Sequence, residues 1–157
     1  MRTSGLLLLF LASCGLPDLG NGGGGVTEDA LLTQVEEDLE YYTEWDQAEG
    51  IEGVLEDVSG FHGPYIQAWY NDNGLESLYV AADGAAAVKE SYDDADGTSL
   101  NGLTAMRYSV DYGWFYAEVD LDTGDFEETG RVDECIACHE EGDAFGFLAP
   151  TVHEEEK

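Results

Sequence analysis

The sequence predicts an α+β fold in which an N-terminal helix packs on a five-stranded antiparallel sheet and a further helix follows near the C-terminus. Apolar residues recur at helical spacing before Gly50, and short β-like runs separated by tight turns follow it. A helix followed by such runs is typical of a layered α+β arrangement. The chain has 157 residues, of which 43% are apolar, so it can form one domain with a hydrophobic core.

The predicted helix begins after Thr27, whose hydroxyl can cap it, and it carries Glu28 and Asp29 in its first turn. Its apolar residues recur every three or four positions and therefore share one face: Leu31, Leu32, Val35, Leu39, Tyr42 and Trp45. Acidic residues lie on the opposite face. We therefore expect a surface helix of about four turns with its apolar face against the sheet.

The predicted strands are the five runs 65–70, 77–81, 85–92, 103–110 and 114–121. Residues 71–74 (Asn-Asp-Asn-Gly) predict a turn after the first run. The Asp-Gly pair at 83–84 predicts a hairpin between the second and third runs, and residues 111–113 predict the turn between the last two. Tight turns between successive runs indicate an antiparallel meander.

Residues 1–13 predict an export signal and not part of the fold. Arg2 precedes an apolar run at 6–11 that is too short to span a bilayer. The small residues before Cys14 resemble the lipobox of bacterial lipoproteins, in which the mature cysteine carries a diacylglycerol; an ordinary signal peptide with an incidental Cys14 is the alternative. We expect a lipid-anchored protein that faces the periplasm or the surface of a bacterium.

The remaining chain divides by composition. Residues 14–25 hold the lipidated cysteine and a glycine-rich linker, residues 26–153 form the domain, and residues 154–157 form an acidic tail. The chain has 35 acidic and 5 basic residues, for a net charge of −30. This charge excludes nucleic acid as a partner, because phosphate binding depends on Lys and Arg. It suits encounter with a basic redox partner protein, and a solvated acidic surface is the simpler interpretation.

Residues 135–139 are Cys-Ile-Ala-Cys-His, the Cys-x-x-Cys-His pattern of c-type haem attachment. Two cysteines three positions apart on one helical turn can form thioethers with the two haem vinyl groups, and the adjacent histidine can bind the iron. The sequence therefore predicts one covalently bound haem c, held by Cys135, Cys138 and His139, on a C-terminal haem-attachment helix. A disulfide or redox pair and a zinc site are the alternatives; neighbouring Cys138 and His139 do not easily face one zinc ion.

The other side of the haem decides the class of function. A methionine or histidine bound there makes an electron carrier, whereas an open position binds small molecules. Met106, His62 and His153 are the candidate side chains. Each has a simpler interpretation: Met106 as a core residue, His62 as a structural or surface residue, and His153 as a solvated tail residue. We therefore expect an open distal side.

Several short sequence elements follow one another in the order found in a known family. They are Tyr42 with Trp45, residues 59–63 (Ser-Gly-Phe-His-Gly), Tyr70-Asn71, Asp83-Gly84, Val88-Lys89-Glu90, residues 112–115 (Tyr-Gly-Trp-Phe), and the haem motif followed by Asp143, Phe145 and Phe147. Over residues 42–148 the chain resembles the cytochrome P-460 family, which includes the beta-type cytochromes c-prime. The resemblance implies a five-stranded antiparallel sheet with packed helices, a homodimer, and five-coordinate iron with His139 as the proximal ligand.

The resemblance also implies a reaction class. Members bind nitric oxide and related gases or oxidise hydroxylamine, and in the oxidisers a lysine is cross-linked to the haem; Lys89 is the candidate here. A carboxylate beside the iron could accept a proton from a bound substrate, for which Glu90, Glu140 and Asp143 are candidates.

Phe145 and Phe147 could instead supply an apolar distal wall. We expect a haem protein that binds nitric oxide or related small nitrogen ligands. Hydroxylamine-type oxidation, electron transfer and a haem-less structural lipoprotein are the alternatives.

Overall fold

The computed structural model describes residues 25–57, 60–76, 78 and 80–139. The helices are α1 (Glu28–Tyr41), α2 (Asp72–Glu76) and α3 (Asp133–His139), and a 3-10 turn at Tyr42–Glu44 follows α1. The strands are β1 (Leu55–Glu56), β2 (Tyr65–Tyr70), β3 (Ala86–Tyr92), β4 (Leu100–Ser109), β5 (Gly113–Val119) and β6 (Phe126–Gly130). The predicted α+β class with an antiparallel sheet is confirmed. The predicted export signal, Cys14 and the acidic tail lie outside the described residues.

The sheet is a meander in which each strand pairs antiparallel with the next, in the order β1 to β6. It has six strands, so the prediction of five is wrong. The strands missing from the prediction are β1, which has two residues, and β6, which has an acidic pair at Glu127 and Glu128. Neither shows the apolar alternation on which strand prediction depends.

The segment between β2 and β3 differs most from the prediction. Of the run 77–81, residues 78, 80 and 81 are described, and none of them lies in a strand. The side-chain oxygen of Asn71 accepts hydrogen bonds from the backbone N–H groups of Gly74 (2.8 Å) and Ala86 (2.9 Å), and its amide donates to the Gly84 carbonyl (2.9 Å). Asn71 thus ties the end of β2 to α2 and to the start of β3. The Asp83–Gly84 turn therefore leads into β3 and does not join two strands.

Helix α1 packs on one face of the sheet. The Thr27 hydroxyl accepts a hydrogen bond from the Ala30 N–H at 3.2 Å, so the predicted cap is confirmed. Leu31 and Val35 are fully buried, in one cluster with Val88 and Phe115 among others. No helix among the described residues is long and apolar enough to cross a membrane.

A charged contact also fixes α1 to the sheet. The Arg107 guanidinium on β4 donates to both carboxylate oxygens of Asp38, at 2.7 and 2.9 Å, and to the Gln34 side chain at 2.7 Å. The side chains of Arg107 and Asp38 are only 17% and 12% exposed. Burial raises the pKa of Asp38, and the nearby Arg107 charge opposes that rise. This pair and the apolar cluster close the α1 face, so a site must lie elsewhere.

Candidate functional site

The sheet face opposite α1 borders a cavity of about 700 Å³. This volume lies within the range of small-molecule and cofactor sites, about 300–1,000 Å³. The cavity lies between the sheet, the segment around His62 and helix α3. Its lining includes Ala68, Ala87, Lys89, Met106, Tyr116, Cys135 and His139.

The strand register explains which residues reach the cavity. One row runs across five strands: Ala68, Lys89, Thr104, Glu118 and Glu128 are register partners in turn, and all of them line the cavity. Side chains alternate between the two faces of a strand, so a residue and its register partners share a face. Lys89 therefore lies in the middle of the floor of the cavity.

Small side chains make room for the cavity. Ala87 pairs with Met106 in the adjacent row, and both line the cavity. Ala68, Gly102 and Thr104 also line it, and none of these three residues carries a bulky side chain. Large buried side chains such as Tyr70, Trp114 and Tyr116 also lie on this face, so the open space is confined to the region of the small residues, which helix α3 partly covers.

Helix α3 presents the Cys-x-x-Cys-His motif to the cavity. The helix begins with the acidic residues Asp133 and Glu134 in its first turn. Positions 135, 138 and 139 are neighbours on one side of a helix because of their spacing. Cys135 is half-buried and His139 is 6% exposed, and both line the cavity, whereas Cys138 is exposed at the surface.

The chemistry of the two cysteines bears on the alternatives. Both thiols are free. Burial, and then the carboxylates of Glu118, Glu128 and Glu134, raise the pKa of Cys135 to about 11. Cys135 is therefore a neutral thiol at neutral pH, unlike the low-pKa cysteines of disulfide oxidoreductases. This environment disfavours the redox-pair interpretation.

The His139 ring lies beside two other rings. Its centroid is 5.8 Å from that of Tyr116 and 6.3 Å from that of His62. Burial, and then the charges of Lys89 and His139, lower the pKa of His62 to about 3, while Asp57 opposes this shift. His62 is therefore a neutral imidazole near neutral pH, which is the form that binds metals.

Lys89 lies in the same cavity. Burial lowers the pKa of this lysine to about 8, and Asp57 opposes the shift. Near pH 8 about half of the side chain is the neutral amine, which is a nucleophile and a possible metal ligand. The structure thus brings together Lys89, His62, Cys135 and His139, which are far apart in the sequence.

Glu90 lies on the opposite face of the sheet from Lys89. Its carboxylate accepts hydrogen bonds from the Tyr42 hydroxyl (2.8 Å), the Trp69 indole N–H (3.1 Å) and the Tyr92 hydroxyl (2.9 Å). It does not appear among the residues that line the cavity. The structure therefore separates this candidate proton acceptor from the site and gives it structural contacts.

The other candidates divide between the cavity and the part of the chain that is not described. Met106 is 9% exposed and packs within the wall of the cavity. The following candidates lie outside the described residues: Cys14, Glu140, Asp143, Phe145, Phe147 and His153.

Sequence reasoning missed the carboxylates of the cavity. Glu118, Glu127, Glu128 and Glu134 line it and are exposed, so they lie where the cavity opens to solvent. They are four of 35 acidic residues, and no sequence feature distinguishes them from the others. Their position follows only from the register of β5 and β6 and from the return of α3 to the sheet.

Within the described ranges, no group of three or more His, Cys, Asp and Glu side chains could hold a metal ion. The described side chains therefore give no support to a zinc site. In comparisons with protein-family models, curated proteins and solved structures, nothing matches this chain.

These residues fit a c-type haem. The motif provides two thiols and an imidazole, and two of these three side chains border a cavity of about 700 Å³. Most of the floor is formed by small or apolar residues, as burial of a large flat aromatic group requires. The fit rests on the donor set together with the space beside it.

Proposed function

We propose that this chain is a mono-haem c-type cytochrome. In this proposal Cys135 and Cys138 hold the haem through thioethers, and His139 is a ligand of the iron. The observation that carries the proposal is that Cys135 and His139, from a Cys-x-x-Cys-His motif, line the cavity on the open face of the sheet. Its small floor residues leave room for the group.

The chain's own residues would perform distinct tasks. Cys135 and Cys138 would hold the haem as thioethers, in which the S–H bond and a vinyl π bond are replaced by a C–S and a C–H bond. Buried His139 would offer an imidazole nitrogen to the iron, and the apolar wall around Met106 and Tyr116 would exclude water. The bound haem supplies an iron that cycles between the ferric and ferrous states.

The proposal includes export and anchoring by a lipid on Cys14. Haem c is attached outside the cytoplasm, which agrees with an export signal at residues 1–13. We also propose membership of the cytochrome P-460 family, based on the order of the short elements in the sequence. An antiparallel sheet followed by a helix with the haem motif is compatible with that membership.

The role of the cytochrome depends on whether a second side chain of the protein would bind the iron. Without one, the iron would bind nitric oxide or a related small nitrogen ligand, as we expect from the resemblance. A position filled by a protein side chain makes an electron carrier, for which the acidic surface suits a basic redox partner.

The test is the intact mass and visible spectrum of the full chain matured in a bacterial periplasm. We expect the mass of the mature polypeptide plus one haem. The double variant C135S/C138S should lose all covalently bound haem, whereas C14S should keep the haem and lose only the anchor. Wild-type protein without haem, or a double variant that keeps covalent haem, would contradict the proposal.

A second candidate function is oxidation of hydroxylamine-type compounds on a cross-linked haem. The observation that favours it is the position of Lys89 in the cavity together with its pKa of about 8. An extra bond between lysine and haem would give a mass below that of polypeptide plus haem and a red-shifted Soret band. K89M should abolish both signs, and K157M is the matched control. Wild-type protein with the simple sum of masses would rule out this candidate.

A further inference from the structure

Two histidines that are 77 positions apart in the sequence meet in the cavity. His139 ends helix α3, and His62 lies in the segment before β2. Both line the cavity, and their ring centroids are 6.3 Å apart with an angle of 65° between the ring planes.

The separation equals that of two imidazoles on opposite sides of one metal ion. An imidazole nitrogen lies about 2.0–2.1 Å from a first-row metal, and the ring centre lies about 1.1 Å further along the same line. Two such rings therefore have centres about 6.2–6.4 Å apart. Because each ring plane contains the line from nitrogen to metal, the planes can adopt any angle to each other, including 65°.

A direct contact between the rings predicts other distances. An N–H···N hydrogen bond of about 2.9 Å would place the ring centres about 5.1 Å apart, which is well below the 6.3 Å found between His62 and His139. An edge-to-face ring contact covers about 4.5–7 Å and includes the observed value. Metal coordination and ring packing are thus the two arrangements to be distinguished.

Hydrogen bonds hold the backbone of His62 in place. Its backbone N–H donates to a carboxylate oxygen of Asp57 at 3.1 Å. The Asp57 N–H donates to the Pro64 carbonyl and the Asp57 carbonyl accepts from the Gly60 N–H, both at 3.0 Å. These three contacts close the segment onto the end of β1. They fix where the side chain of His62 leaves the backbone, beside the ring of His139.

The other side chains of the cavity are weaker candidates for the second axial position. Met106 packs within an apolar cluster of the wall, where it fills space. Lys89 is mostly protonated below its pKa of about 8, and an ammonium group has no lone pair. The His62 ring, in contrast, lies directly beside the ring of His139.

We propose that His62 is the second protein ligand of the haem iron, on the side opposite His139. This inference rests on the proposed c-type haem function and departs from the open distal side that the sequence led us to expect. The iron is then six-coordinate and low-spin in both oxidation states. Its role is electron transfer, and nitric oxide or carbon monoxide binds only by displacing His62.

The test uses the matured full-length protein and electronic absorption and electron paramagnetic resonance spectra in both oxidation states. We expect low-spin spectra for the wild type without the near-infrared band of methionine ligation. H62A should become high-spin and bind carbon monoxide readily when reduced, and added imidazole should restore the low-spin spectrum. M106L and K89M remove the two other candidate ligands in the cavity, and both should stay low-spin if His62 is the ligand.

The outcomes separate this inference from the function on which it rests. Wild-type protein that contains haem, is high-spin and binds carbon monoxide at once would overturn His62 ligation and leave the c-type cytochrome intact; His62 would then be a packing residue. A low-spin spectrum that survives in H62A but is lost in M106L or K89M would assign another ligand. Absence of covalent haem in the wild type would overturn both. If H62A does not accumulate, the wild-type spectra alone decide between low-spin bis-histidine and high-spin iron.

Discussion

Glu90 allows a sharp test of the division between the two faces of the sheet. Its carboxylate accepts hydrogen bonds from Tyr42, Trp69 and Tyr92, at 2.8 to 3.1 Å. Alanine at this position removes the acceptor of all three donors. A hydrogen bond to a charged group contributes about 1.5–3 kcal/mol, and these contacts are partly buried, so we expect E90A to lower the free energy of unfolding by about 3–5 kcal/mol.

Glutamine at position 90 is the matched control. Its carbonyl oxygen can accept from Trp69 and Tyr92, while its amide can donate to the Tyr42 hydroxyl, which also accepts. E90Q therefore keeps three hydrogen bonds and loses only the contribution of the charge. We expect a loss of about 1 kcal/mol.

The assay is urea unfolding followed by far-ultraviolet circular dichroism, with the haem spectrum of the folded variant as the second measurement. Both Glu90 variants should retain the spectrum and ligand affinity of the wild type, because Glu90 faces away from the cavity. A loss of less than about 1 kcal/mol in E90A would show that the three hydrogen bonds do not stabilise the fold. An E90Q variant with unchanged stability and altered ligand binding or turnover would give Glu90 a role in the cavity.

Three further predictions concern the core, the floor of the cavity and alkaline pH. R107M should cost about 3–5 kcal/mol at neutral pH because it leaves the Asp38 carboxylate, 12% exposed, without its cation. Burial already raises the pKa of Asp38, and removal of the Arg107 charge raises it further. The carboxylate is then protonated at acid pH, so the destabilisation by R107M should be smaller there. A87F should fill the floor of the cavity and sharply lower the fraction of protein with covalent haem, whereas A82F, at an exposed position, should not. Burial raises the pKa of Tyr70 from 10.0 to about 12, so between these pH values the folded state retains a proton that the unfolded state loses. The free energy of unfolding should therefore fall as the pH rises from 10 to 12, and this fall should be about 2–3 kcal/mol smaller in Y70F.

Each of these predictions has a result that contradicts it. Equal losses for R107M at neutral and acid pH would show that the uncompensated Asp38 charge is not the cause. A normal haem content in A87F would place the haem away from this floor. An equal fall in the stability of wild type and Y70F between pH 10 and pH 12 would show that Tyr70 does not retain its proton in the folded state. Urea unfolding provides the first and third measurements, and intact mass provides the second.

The parts of the fold that could be predicted are those with local causes. The Thr27 cap and strand β2 depend on neighbouring residues, and the structure has both where the sequence predicted them. The region 71–85 could not be predicted, because Asn71 bonds to Gly74 and, 15 positions along the chain, to Ala86. An amide that bridges such distant positions has no signature in the apolar pattern.

The site was predictable in its chemistry and not in its geometry. The spacing of Cys135, Cys138 and His139 identifies a motif without any tertiary information. The alternation of β3 also shows that Lys89 and Glu90 face opposite sides, but not which side has the cavity. That choice depends on where α1 and α3 pack, and the same packing brings His62 to His139.

The two faces of the sheet explain why the site can be tested without loss of the fold. Leu31, Val35 and Phe115 close the α1 face with large, fully buried side chains, and this cluster does not include the haem motif. The cavity face has an apolar cluster of its own, which includes Tyr70, Trp114 and Tyr116. Because hydrophobic stabilisation scales with buried apolar area, both clusters stabilise the domain, and replacement of the two cysteines leaves their large buried side chains in place. Replacement of Cys135 and Cys138 should therefore remove the haem and leave the sheet folded, so that a loss of function in that variant reports on the site itself.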